Sequence, residues 1–245
     1  TEAWKAVDPA ALAALKDKIE GLAHSLAARK KPNEAQTEED LIYPVFELLG
    51  WNDKDVQTNA AVKARDSVPD ALLYPDAEAK KIAGPLDQWK RLQHGVCIVE
   101  AEKWQKPLDR RDKDGDSKYE PPSSQMLRYL RRVEDRTVGK LRWGILTNGR
   151  VWRLYFQGAA SVAEDFFEID LGKALLIEGC EPDLLDKAPD GFSNEATWRD
   201  HIVQLFVVMF GRVAHALGDS RGGLKVVNRA SSGRLGPDQR RQGAF

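Results

Sequence analysis

Apolar residues recur at helical spacing through Leu12, Leu15, Ile19, Leu22 and Leu26, which predicts a helix from Pro9 to Arg29. A polar break at 30–36 precedes a second helix, carrying Leu41, Ile42, Val45, Phe46, Leu48 and Leu49 and stopped by Gly50. The pattern then shortens. Segments 55–63 and 67–75 read as strands, 76–92 as a charged hairpin tip or short helix, and 96–101 as an apolar strand. Segment 109–123 is too polar to pack and reads as a mobile loop. Helical spacing returns at 123–135, with Ser123 or Ser124 as the expected N-cap. Two apolar runs, "LRWGILT" and "VWRLYF", flank Asn148 and Gly149, a hairpin signal. One more strand is expected at 165–171, then helices near 181–187 and 194–217. The order of helix, three strands, helix and further strands, with helices at both ends, predicts an α/β class: a mixed sheet covered by helices.

Composition narrows the function classes. The 245 residues carry a net charge of -1, so nucleic-acid binding requires a local basic patch. Cys97 and Cys180 lack CxxC spacing, and the four histidines form no metal-spaced pair, which argues against a disulfide framework and a structural zinc site. No apolar run approaches the ~20 residues of a membrane span. No signal peptide is recognised, and the expected compartment is reducing and cytoplasmic. From Gly218 onward six basic residues oppose two acids among six glycines, so 218–245 reads as a linker or tail.

The candidate chemistry starts at "CIVEAEKW", where an apolar strand runs into Glu100 and Glu102. Strand alternation puts both on one face if the strand stays regular. Asp70, in "VPDALLY", belongs to a neighbouring strand, and pairing the two strands would crowd three carboxylates together. Such crowding is costly, and a Mg²⁺ or Mn²⁺ ion relieves it while activating water against a phosphodiester. The bland alternative, solvated acids at strand ends, predicts no convergence. Gln125 and Tyr129 lie four apart and share a helix face, in reach of a phosphate or a lytic water, or else merely border an amphipathic helix. Between 101 and 140 there are 11 Lys or Arg against 8 Asp or Glu, an excess that suits phosphate contact as well as a solvated charged face. Lys103, Lys106, Arg110, Arg128 and Arg132 are the candidate DNA-binding cations.

In this order the stretches "NEAQTEEDLIYPVFELLGW", "VPDALLY", "CIVEAEKW", "PLDR", "PSSQMLRYL" and "WGILTNGRVWRLY" resemble the PD-(D/E)xK nuclease superfamily. The likeness is to the branch at the N-terminus of type I restriction subunits and of fused restriction-modification enzymes, and it covers roughly 30–172. It implies a restriction-endonuclease-like αβββαβ core. The expected division is then 1–30, a helix packing on the core; 31–172, the nuclease-like domain; 173–217, C-terminal helices; and 218–245, the tail. The resemblance also implies a Mg²⁺- or Mn²⁺-dependent endodeoxyribonuclease of a restriction or phage-defence system, acting on double-stranded DNA with methyltransferase, specificity or translocase partners. Asp70 and Glu100 become metal ligands, Glu34 an acid that approaches the same ion, and Gln125 with Tyr129 a QxxxY motif. The Thr147–Asn148–Gly149 turn would be structural.

One position departs from the family. Lys is expected two residues after Glu100, where this chain has Glu102, and Lys103 should face the other side of the sheet. Glu102 is then a working acidic ligand, a mark of a degenerate site, or an inactivating change from a parent that reads Lys. A non-catalytic DNA-binding or assembly module is the competing function.

Overall fold

A computed structural model describes residues 2–5, 7–56, 69–109, 120–180 and 188–212. Expectations for 57–68, most of the polar loop, the helix near 181–187 and the 218–245 tail lie outside the described residues. A short α1 (Glu2–Lys5) precedes α2 (Pro9–Ala27), which Asp8 caps by accepting the Ala11 amide. Next come α3 (Glu34–Thr37), a π-helical turn (Glu38–Ile42) and α4 (Tyr43–Leu48). Asn33 opens α3 with a reciprocal capping box to Gln36.

Strands β1 (Lys54–Val56) and β2 (Ala71–Leu73) follow. The charged segment expected as a hairpin tip or one helix is two short helices, α5 (Ala77–Ala83) and α6 (Gln88–Arg91), closed by a 3-10 turn. Then come β3 (Cys97–Ala101), α7 (Pro122–Thr137), β4 (Trp143–Thr147), β5 (Val151–Phe156), β6 (Phe166–Asp170), α8 (Leu171–Ala174) and α9 (Glu195–Phe210). Neither Ser123 nor Ser124 caps α7. Pro122 occupies its first turn, where a fixed φ and a missing N–H cost nothing, so the helix begins one residue earlier. The Ser123 amide is instead donated to the Leu108 carbonyl.

The six strands form one sheet in chain order, β1-β2-β3-β4-β5-β6. Among the described residues only β3 and β4 run parallel, and α7 lies on the crossover that parallel neighbours require. Side-chain alternation splits the interior in two. Val99, Ile145, Trp152 and Leu154 face α2, α4 and α9. Ile98, Leu146 and Tyr155 face Met126, Leu130 and Val133 of α7. A Cβ at Gly144 would lie 2.7 Å from the Met126 sulfur, so this glycine lets α7 close on β4. The first core centres on Trp152, fully buried and edge-on to Phe46, Phe206 and Phe210. Trp51 Nε1 donates to the Phe210 carbonyl at 2.8 Å and ties α9 to α4. Among the described residues no helix is long and apolar enough to cross a membrane.

Candidate active site

The site forms where β3 ends. Glu100 shares its face with Ile98 and therefore looks toward α7. Antiparallel pairing of Ala71 with Val99 brings Asp70, just before β2, alongside Glu100. Asp70 Oδ2 accepts the Ala101 amide at 2.8 Å, so one carboxylate spans both strands. The strand stops at Ala101, and Glu102 follows in the turn, its amide donated to the Thr147 carbonyl at 2.8 Å. Glu100 and Glu102 are 4% and 5% exposed, values almost never reached by solvated strand-end acids.

The opposite layer adds two acids. Glu34 lies in the first turn of α3, and Glu38, one helical turn on, is buried at the start of the π-helical turn. Tyr43 Oη donates to Glu38 Oε2 at 3.0 Å. Glu38 escaped the sequence reading. Its signal was present, an acid four residues after Glu34 on the same helix face, but burial of that face depends on how α3 lies against the sheet.

The charges of these acids act on one another. Burial raises Asp70 to about 8, with Glu38, Glu34 and Glu102 adding repulsion against the opposing Ala101 hydrogen bond. Burial also raises Glu38 to about 7, with Glu34 and Glu102 among the repelling charges. Glu100 is pushed well above the usual carboxylate range by burial and then by Asp70 and Glu102, while Arg128 opposes the shift. Glu34, exposed at the edge of the cluster, is nevertheless raised by desolvation, against the lowering charges of Lys106 and Lys103.

Gln125 and Tyr129 face this cluster from α7. Gln125 Nε2 donates to Glu100 Oε1 and, at 3.3 Å, to Tyr129 Oη. Burial first, then Glu100, raises the Tyr129 phenol to about 12, so it stays protonated at neutral pH.

Four of the five acids thus take different partners. Asp70 uses a backbone amide, Glu38 a phenol, Glu100 an amide side chain, and Glu102 the ammonium of Lys106 at 2.6 Å. Among the described residues no three His, Cys, Asp or Glu side chains stand ready to hold an ion. The donor chemistry nevertheless suits a hard divalent cation. Glu100 Oε2 is buried without a hydrogen-bond partner, and the neighbouring carboxylates repel one another until a proton or a cation intervenes.

The expected DNA-binding cations are dispersed. Lys103 is exposed in the turn after β3. Lys106 is drawn to the acids. Arg128 donates to Glu120 at 2.6 Å and lies over the Tyr129 ring. Arg128 and Arg132, with Arg131, Leu127 and Asp135, line a cavity of about 480 Å³ on the outer side of α7. Arg110 lies outside the described residues. Compared with protein-family models, curated proteins and solved structures, the chain has no match.

Proposed function

We propose that the chain is a metal-dependent DNA endonuclease domain of a restriction-modification or phage-defence system, working in the cytoplasm. The observation that carries this reading is Glu100: a buried carboxylate with one unpartnered oxygen, crowded by Asp70 and Glu102 and contacted by Gln125. Burying such repelling charges for stability alone makes little physical sense, because apolar residues of similar volume would cost less. The element order, with three strands, α7 and β4 after the α3–α4 helical run, agrees with a restriction-endonuclease-like αβββαβ core.

Asp70 and Glu100 would hold Mg²⁺ or Mn²⁺, with Glu34 and Glu38 close enough to feel its charge. The ion would polarise the phosphodiester and acidify its bound water. Gln125 and Tyr129 would fix the orientation of Glu100. Arg128 and Arg132 would meet the DNA backbone, supplying attraction without sequence choice. Base recognition, methylation and translocation would belong to partner domains or subunits.

A plasmid-cleavage assay with Mg²⁺ or Mn²⁺ tests this. The chain is expected to nick or linearise DNA, and Asp70→Ala to abolish cutting. Unchanged cutting by Asp70→Ala would remove Asp70 from the reaction. The second reading, a DNA-binding or assembly module that kept the fold, is favoured by one observation: Glu102 stands where the resemblance expects Lys. It predicts DNA binding with no cleavage and no Mn²⁺ affinity at Asp70 and Glu100.

A further inference from the structure

We infer that Lys106 provides the phosphate-facing positive charge of this site, with Glu102 and Asn148 as positioning residues that hold it there. The inference rests on the nuclease reading and deepens it. Glu102 lies in the turn just after β3, and its side chain is 7% exposed. Lys106 Nζ meets Glu102 Oε2 at 2.6 Å, while the lysine side chain keeps 21% of its surface in solvent. The lysine therefore covers the buried Glu102 carboxylate while keeping part of its own side chain in solvent. It is also the leading charge that lowers Glu34, ahead of Lys103. Within this ion pair the lysine is the member more accessible to an entering polyanion.

The turn from 102 to 106 is built to hold this position. Its amides at Glu102, Trp104 and Gln105 are donated to Thr147 O at 2.8 Å, Thr37 Oγ1 at 2.9 Å and Asn148 O at 3.3 Å. Asn148 Nδ2 donates back to the Lys106 carbonyl at 2.7 Å. Gln105 has a φ of 59°, a left-handed conformation that side chains other than glycine adopt at a cost. That reversal turns the chain so that residue 106 returns over residue 102. The Asn148–Gly149 hairpin thus anchors a cation as well as joining two strands. Glu102 is thereby given a working role in place of the degenerate-site and inactivating-change readings. It is the counter-ion that directs a lysine four residues downstream, and the ammonium passes to a non-bridging oxygen of the attacked phosphate when DNA enters.

The test compares the full chain with its Lys106→Met, Lys106→Gln and Glu102→Lys forms. One readout is plasmid cleavage in Mn²⁺. The other is metal-free binding to a duplex over a range of salt, which needs no turnover. Wild-type cleavage, a loss of about 100-fold in both Lys106 variants, and a salt slope smaller by about one counterion support the inference. Cutting by Lys106→Met at the wild-type rate, or an unchanged salt slope, overturns the role of Lys106 and leaves the nuclease reading standing. An inert wild type with an active Glu102→Lys also overturns it, because the phosphate-binding lysine then belongs at 102. If wild type and Glu102→Lys are both inert, the nuclease reading falls, and the inference with it.

Discussion

Asp70 carries the clearest pH dependence. Its folded pKa is raised to about 8 by burial and neighbouring acids, far above the value of about 4 in an unfolded chain. Below the unfolded value both states bind the proton, and stability is complete. As pH rises toward 8 the unfolded state releases the proton more readily, so stability falls. Glu38, raised to about 7, adds to the same slope. The metal-free chain is therefore expected to melt at a higher temperature near pH 5 than near pH 8. Asp70→Asn should flatten that difference, as thermal unfolding at both pH values would reveal. Ca²⁺ should raise the melting temperature more at pH 8 than at pH 5, since only the ionised acids bind it. Asp70, Glu100 and Gln125 were legible as candidates because strand alternation and four-residue helical spacing limit which side chains share a face, and the family resemblance chose among the remaining readings. The state of each acid was not legible, since burial is contributed by residues far away in the chain.

At the scale of elements, α7 shows how local rules compete. Its apolar stripe identified the helix, and Pro122 set its start against the simpler expectation of a serine cap. Its end carries a local conflict. Val138 occupies the left-handed conformation, φ 53° and ψ 47°, and is 88% exposed. A β-branched residue there costs about 1–2 kcal/mol, with almost no burial to offset it. Val138→Gly should stabilise the chain by about 0.5–1 kcal/mol after the extra chain entropy of glycine is counted. A higher urea midpoint with an unchanged m-value would verify this. Gly149 is the opposite case. Its φ is 79°, and a Cβ would stand 2.9 Å from Leu41 Cδ2 and 3.0 Å from Trp104 Cε3, so the hairpin accepts only glycine without displacement. The hairpin signal was readable from sequence. Its second task, clamping the turn at 102–106, was not, because the hydrogen bonds join positions about 40 residues apart.

The whole molecule depends on the sheet separating two cores, each roofed by different helices. Trp152 occupies the centre of one core, and its rings of contact come from α4 and α9, remote in sequence. Trp152→Ala should cost about 3–5 kcal/mol, a large share of ordinary domain stability, measurable by urea denaturation. Apolar periodicity alone was enough to specify an α/β class and most helices and strands, because these follow from the repeat of the backbone, whereas the pairing of Asp70 with Glu100 was one possibility that the strand register decided. The packing of α3 against the sheet end, the burial of Glu38 and the return of Lys106 over Glu102 arose only on folding. Desolvation and charge proximity depend on three-dimensional distance, and a residue's position along the chain does not encode that distance.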